Sequence, residues 1–162
     1  MENDNQVAAK GMLRHTLATL AYRAAKVLRD APDSFATFGT GEKGRNPALI
    51  LAHMGDLMDW GLSMANGTKQ WHDSKPLPWP QEAQRFFKSV KAFDDYLASD
   101  SPLSYPVEKL FQGPVADALT HTGQLAMLRR MAGCPMRGEN YFRAAIATGR
   151  VGADQAPPAQ EF

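Results

Sequence analysis

Two residues in the segment DALTHTGQL, at positions 117 to 125, have types and a spacing suited to metal binding. Asp117 and His121 are four positions apart, so on a helix their β-carbons lie about 5 to 6 Å from each other and both side chains can reach one ion. A third candidate is His53, which lies in the apolar stripe of the segment NPALILAHMGDLMDW. We therefore predict that His53, Asp117 and His121 bind one metal ion between two helices.

The predicted ligand set contains two imidazoles and one carboxylate. Burying these three polar groups without partners would cost free energy, and a bound divalent ion would offset that cost by coordinating all three. Three protein ligands leave positions open for water or substrate, as in catalytic sites, whereas structural zinc sites are usually closed by four protein ligands. Zinc or nickel is the favoured ion, and iron(II) or manganese also suits these ligand types.

Each of these residues also has an ordinary structural explanation. A histidine on an apolar helix face is often a hydrogen-bonded core residue. Asp117 falls in the first turn of a predicted helix, where an acid interacts favourably with the helix dipole. For each residue taken alone, the structural explanation stays open. The metal site is favoured for the three together, because all three side chains are predicted to point into the bundle.

Hydrophobic periodicity and helix-breaking residues predict four long helices. Asn46 and Pro47 form a good N-cap and first helical residue, and Gly113 with Pro114 is expected to start the last long helix. The predicted helices span about 7 to 30, 47 to 65, 80 to 99 and 113 to 132. No segment alternates like a strand. The predicted fold class is therefore an all-α four-helix bundle.

Further elements are predicted at the C-terminal end of the chain. A short fifth helix is expected at about 139 to 147, which completes a single bundle domain over residues 1–147. Residues 148–162 contain too few large apolar side chains to form a core, so we predict an extended tail.

Composition excludes several classes of partner. The 162 residues include 18 lysines and arginines against 17 acids, for a formal charge of +1, and neither sign forms a block. This balance argues against nucleic acid or a membrane as partner. The single cysteine, Cys134, cannot form an internal disulfide, and the polar start MENDNQ does not look like a signal peptide, so we expect a cytoplasmic protein. No histidine lies near Cys134 in sequence to activate it as a nucleophile.

Three segments, LRHTLATLAYRAAKVLRD, NPALILAHMGDLMDW and DALTHTGQLAMLRRMAG, resemble the DinB-like (DinB/YfiT) superfamily of metal-binding four-helix bundles. The resemblance covers about residues 12 to 132, and ENYFRAAIATGRVG is similar to the C-terminal segment of a bacterial branch. The family has one histidine in the second helix and two, four apart, in the last. His53 and His121 match the first and last of these, whereas Asp117 stands where the family has its middle histidine.

The resemblance implies a metal-dependent enzyme, either a transferase or isomerase that uses a low-molecular-weight thiol or a hydrolase. The metal would lower the pKa of a bound thiol or water and polarise an electrophile, and the small-molecule substrate stays unidentified. Two alternatives are a metal- or small-ligand-binding protein without turnover and a stress-response interaction module. A set of two histidines and one carboxylate also binds iron in iron(II) oxygenases. Because those enzymes usually have β-barrel scaffolds, we treat an oxygenase as a minor variant of the metal-dependent enzyme hypothesis.

Four residues near the predicted ligands are candidates for supporting roles. Asp56 could orient a metal ligand, but a solvated surface acid is the favoured description of both Asp56 and Asp59. Gln124 could contact a bound water or substrate, or it could form a hydrogen bond between helices. Trp60 is expected to line the pocket below the metal or to belong to the core.

His15 and His72 are expected to lie outside the metal site, and the chain is expected to form a dimer. His15 lies off the apolar stripe of the first helix and is expected at the surface or at a subunit contact. His72 lies in a proline-rich loop that could act as a lid, although exposure to solvent is favoured. A homodimer is predicted, with the tail lying across the partner and a second apolar patch on the first helix formed by Ala18, Tyr22 and Ala25.

Overall fold

A computed structural model of the protein describes residues 2–39, 41 and 44–162. Its α-helices are α1 (Glu2–Leu28), α2 (Pro47–Ala65), α3 (Trp79–Ala98), α4 (Val107–Leu110) and α5 (Ala116–Met131). A π-helical turn joins α4 to α5, so residues 107–131 form one continuous helix. The described residues contain no β-strand, which confirms the predicted all-α class.

The four long helices pack around one apolar core. Both α1 and α2 pack against α3 and against α5, so each of these helices has two neighbours. The fully buried side chains come from all four, and include Leu17, Leu51, Met54, Phe86, Phe93 and Leu125. Within the part of the chain that the structure describes, no helix combines the length and apolar composition needed to cross a membrane.

Local sequence signals determine where α2 begins and how closely it approaches α3. The Asn46 side chain accepts a hydrogen bond from the backbone N–H of Leu49 (2.9 Å), and Pro47 occupies the first helical position, as predicted. Gly61 lies against Phe93 of α3, where an added Cβ would be only 2.7 Å from the ring. The absence of a side chain at Gly61 therefore allows the two helices to approach at this level.

Two helix starts differ from the sequence-based expectation. The helix α1 begins at Glu2 rather than near Val7, so its helical backbone also includes the polar residues before the apolar stripe. Gly113 and Pro114 do not start a new helix. Pro114 has no N–H to donate, and the chain accommodates it in the π-helical turn Phe111–Val115, which carries the helix on from α4.

The prediction of a short C-terminal helix at about 139 to 147 is wrong. Only Tyr141–Arg143 forms a single 3₁₀ turn, and the backbone is extended again at Ala144. The segment instead pairs with the chain end, since the Asn140 N–H donates to the Gln160 carbonyl (3.0 Å) and Glu139 forms an antiparallel bridge with Glu161. These long-range backbone contacts replace those of a helix.

The tail docks on α1 of its own chain. Lys26 donates hydrogen bonds to Glu139 and Glu161, both at 2.7 Å, and the Tyr22 hydroxyl donates to Glu139 at 2.6 Å. Burial alone would lower the pKa of Lys26, but the hydrogen bonds to the two carboxylates raise it above its ordinary value. Val151 of the tail is buried in the core. The tail, which the sequence predicted to lie across a partner subunit, therefore packs on its own bundle instead.

The apolar patch on α1 that we predicted as a subunit contact is not a free surface. Ala18, Tyr22 and Ala25 are all buried within the chain, and the Tyr22 ring meets Tyr141 of the C-terminal segment edge-on. The patch and the tail thus satisfy each other in one chain. The homodimer itself stays a prediction, without this patch as its basis.

Replacing Lys26 with alanine should destabilise the protein strongly. The Glu139 side chain is 0% exposed, so the variant leaves a buried carboxylate without its cation, at a cost of about 3–5 kcal/mol in the free energy of unfolding. Urea denaturation of both proteins measures the difference. Lys91→Ala is the matched control, because the Lys91–Asp95 pair is exposed and should contribute less than about 1 kcal/mol. Equal losses in the two variants would contradict the role assigned to Lys26.

Candidate metal centre

The three predicted ligands lie together where α2 packs against α5. His53 lies near the middle of α2, and Asp117 and His121 lie one helical turn apart on α5. One donor atom from each lies within 4.8 Å of the other two, and the two imidazole rings meet edge-on with their centroids 4.9 Å apart. The spacing on one helix and the packing of two helices therefore produce one cluster.

The separations within the cluster suit ligand atoms around an ion better than a hydrogen-bonded network. His53 Nε2 is 3.6 Å from Asp117 Oδ2, and His121 Nε2 is 3.4 Å from Asp117 Oδ1. Hydrogen bonds of this kind are usually about 2.9 Å long. Two atoms that each bind a tetrahedral zinc ion at about 2.0–2.2 Å are separated by about 3.4 Å. The residues present thus fit a metal ion in donor type and in spacing.

The alternative explanation for Asp117, an acid at the start of a helix, does not fit its position. The helix continues upstream through the π-helical turn to Val107, so the N–H groups around Asp117 do not form a free helix end. No side-chain cap is present at the start of α5. The Asp117 side chain is 46% exposed, and among the described residues the two histidines are the only basic side chains within 4 Å of its carboxylate.

The π-helical turn lies directly before the cluster. Widened turns of this type occur often at functional sites, because they shift the side chains that follow them. Here the turn contains Pro114, three residues before Asp117. Gly113 of the same turn lies beside the Trp60 ring, since a Cβ added at Gly113 would be 3.6 Å from that ring. Trp60 therefore packs beside the site and lines a small cavity with Met64 and Tyr105.

Gln124 determines which nitrogen of His121 faces the cluster. His121 Nδ1 lies 2.8 Å from the amide oxygen of Gln124, one turn further along α5. Because an amide oxygen only accepts hydrogen bonds, Nδ1 carries the proton in this contact, and in the neutral form of the ring Nε2 presents its lone pair toward Asp117. Metal-binding histidines are commonly oriented in this way by a second partner. The contact lies within α5, so it is not the hydrogen bond between helices that the sequence left open.

His53 is kept neutral by its surroundings. Burial lowers the pKa of its imidazole below the ordinary value, and coulombic interactions with His121 and Arg45 lower it further, against the opposing effect of Asp117. The ring also meets the Trp71 side chain edge-on, with centroids 5.8 Å apart. A neutral imidazole is the form that binds metal, so His53 needs to lose no proton at neutral pH.

A second polar cluster holds the loop that carries Trp71. Asp56 accepts hydrogen bonds from the Ser74 N–H (2.8 Å) and from Arg85 (3.0 Å), and His72 Nδ1 lies 3.0 Å from the same carboxylate. Asp56 is only 2% exposed, so the description of it as a solvated acid is wrong. Its carboxylate points to the loop and to α3, where it has partners that a surface acid would lack.

Sequence reasoning missed Arg85 and Glu82, the α3 members of this cluster. Glu82 is fully buried and accepts hydrogen bonds from Arg85 (2.6 Å) and from the Leu77 N–H (2.8 Å). The available signal was Gly55, since a Cβ there would be 2.8 Å from the Arg85 guanidinium. A glycine inside an apolar helix indicates that another group approaches closely.

The second cluster could also be considered for metal binding. Asp56, Asp59 and His72 lie close enough to share an ion. However, Arg85 Nη1 is 3.0 Å from Asp56 and 3.7 Å from Asp59, so a guanidinium already neutralises these acids. The cluster of His53, Asp117 and His121 contains no such cation and is the better candidate.

The remaining sequence candidates lie away from the site. His15 is exposed and contacts Thr148 at 3.4 Å, as expected for a surface residue. His72 is about half exposed and holds its loop through Asp56 and Asp59. Cys134 follows α5, and its backbone carbonyl accepts a hydrogen bond from Arg129 (2.8 Å).

Comparison with known proteins adds no family assignment. No protein-family model, curated protein or solved structure matches the chain. Similarity to the DinB-like superfamily therefore stays a prediction, and the function has to be argued from the side chains.

Replacing Asp56 with asparagine should release the loop that carries Trp71. The neutral amide weakens the charged hydrogen bonds to Arg85 and His72. The free energy that favours the closed loop over the open loop should therefore fall by about 1.5–3 kcal/mol. Trypsin cleaves after Lys69 in this loop, and the rate should rise roughly tenfold or more if cleavage follows loop opening. Asp95→Asn removes an exposed pair on α3 and should leave the rate unchanged. The same rate in both variants would show that Asp56 does not hold the loop.

Proposed function

We propose that the protein binds one divalent transition-metal ion through His53, Asp117 and His121 and acts on a small molecule as a metal-dependent hydrolase or thiol-dependent transferase. The observation that carries the proposal is the convergence of the three donor atoms within 4.8 Å of one another. The donor set has three members, so a bound ion keeps open positions, as catalytic ions do.

The likeness in sequence to the DinB-like four-helix bundles supports the same function. The favoured ions are zinc and nickel, with a low-molecular-weight thiol as a further cofactor in the transferase form of the proposal. A bound divalent ion supplies Lewis acidity, which brings the pKa of a coordinated water or thiol near neutrality and polarises a neighbouring electrophile.

The side chains of this protein have separable tasks in the proposed site. His53 contributes a neutral imidazole from α2, and its position depends on the packing of α2 against α5. Gln124 keeps the His121 lone pair directed at Asp117. Trp71 and Trp60 meet edge-on, 5.9 Å apart, and the Trp71 ring also meets the His53 ring edge-on at 5.8 Å.

A metal-dependent binding protein without turnover is the second candidate. The observation in its favour is the lining of the cleft beside His121, in which the described side chains other than His121 include no histidine, carboxylate or thiol that could serve as a separate general base. Such a protein would bind metal and ligand equally well and show no rate with water or thiol as nucleophile.

Zinc binding is the first property to measure. The metal-free full-length chain, titrated with zinc by calorimetry, should bind about one ion per chain. His53→Ala, Asp117→Ala and His121→Ala should each weaken binding strongly, because each removes one of three ligands. His72→Ala is the matched control, since it disrupts the second cluster and should leave binding intact. Loss of zinc binding in His72→Ala alone would move the ion to Asp56 and Asp59 and refute the proposed site.

Gln124→Leu should weaken the site without abolishing it. The variant removes the acceptor that orients His121, and loss of such a partner typically lowers metal affinity by about 10- to 100-fold. Competition with a coloured zinc chelator measures the change. Gln84→Leu, at an exposed position on α3, controls for the added apolar side chain. An unchanged affinity in Gln124→Leu would show that Gln124 does not orient His121.

A further inference from the structure

An open cleft adjoins the candidate metal centre. It has a volume of about 610 Å³ and includes His121 in its wall. Ile50 of α2 and Leu128 of α5 form its buried floor, and Arg45 lies at its edge, just before α2. Ligand clefts of roughly 300–1,000 Å³ are typical for small molecules. A molecule in this cleft would therefore lie directly beside a proposed metal ligand.

Two methionines give the cleft an apolar side that faces solvent. Met127 is 54% exposed and Met131 is 57% exposed, and they are four positions apart on α5, so they follow each other along one face of the helix. Methionine side chains are flexible and polarisable, and they adapt to apolar ligands of varied shape. Together with Ile50 and Leu128 they form an elongated apolar surface rather than a deep pocket.

The polar groups of the cleft are donors. Arg45 contributes a guanidinium, and the described lining contains no aspartate or glutamate. Gln124 uses its amide oxygen to accept from His121, which leaves its amide N–H groups directed to other partners. The electrostatics of the cleft therefore favour a negatively charged ligand group.

We propose that this cleft binds an elongated small molecule that has an anionic group, a carboxylate or a phosphate, at one end of an unbranched apolar segment. The anionic group pairs with Arg45 and accepts a hydrogen bond from Gln124, while the apolar segment lies along Met127 and Met131. This inference rests on the proposed function, because it names the substrate class of the same metal site.

Octanoate, octyl phosphate and 1-octanol are suitable probes, since they share the apolar segment and differ in the end group. Calorimetric titration of the full-length chain, in metal-free and zinc-loaded forms, should show that at least one of the two anions binds with one molecule per chain. Octanol should bind about tenfold more weakly or worse, because it lacks the charge that Arg45 pairs with. The stronger of the two anions identifies the end group as carboxylate or phosphate.

The variant Arg45→Gln should weaken binding of the preferred anion about tenfold and leave octanol binding unchanged. Arg130→Gln is the matched control, since Arg130 is an exposed arginine on α5 that does not line the cleft. Acetate should bind far more weakly than octanoate, because it cannot contact Met127 and Met131. Equal binding of octanol and the anions, or no effect of Arg45→Gln, would overturn the inference.

Zinc content measured on the same samples separates this inference from the proposed function. Zinc binding without binding of either anion would remove the cleft proposal and leave the metal site. Anion binding that depends on Arg45 but occurs without any zinc binding would support the cleft and remove the metal-dependent function. If no probe binds and sedimentation shows a dimer that Met131→Lys converts to a monomer, the cleft is a subunit interface and the inference is wrong.

Discussion

The packing of α2 against α5 is the constraint on which the candidate site depends. His53 lies on one helix and Asp117 and His121 lie on the other, so their separation follows from the packing of these helices rather than from any bond among themselves. Leu51 and Met54 of α2 and Leu125 of α5 belong to the same buried core. Apolar burial of this kind contributes about 25 cal/mol per Å² and is insensitive to the charges nearby. The core can therefore hold three polar groups in place, at separations of 3.4 and 3.6 Å that their mutual hydrogen bonding would not select.

The two polar clusters of α2 differ in how completely their carboxylates are paired. Asp56 is buried, and its contacts with Arg85, Ser74 and His72 satisfy its carboxylate. Such a network rigidifies the loop and leaves nothing for a ligand. Asp117, by contrast, is partly exposed and meets two imidazoles at distances longer than good hydrogen bonds. Groups held close together yet left incompletely paired are the ones that have capacity for an ion.

The sequence predicted those features that depend on neighbouring residues. The bounds of α2 follow from Asn46, Pro47 and the Asn66–Gly67 turn, and the inward direction of His53 follows from the periodicity around it. Docking of the tail was missed, because Lys26 and Glu139 are more than a hundred residues apart and no local pattern links them. The burial of Asp56 was missed for the same reason, since its cation comes from α3. The dimer had been predicted from the α1 patch and the tail. Because these two surfaces pack within one chain, they no longer support that prediction.

Charge connects Asp117 with the cleft beside it. The resembled family has a neutral histidine at this position, so the aspartate lowers the net charge of an occupied site by one and provides an oxygen ligand, which harder ions accept more readily than soft ones. A divalent ion with one carboxylate and two neutral imidazoles still carries one positive charge, and Arg45 adds another nearby. With such an ion bound, two positive charges beside an apolar wall would attract amphiphilic anions more strongly than neutral molecules. In the proposed site, Asp117 would thus influence both the choice of ion and the strength of anion binding.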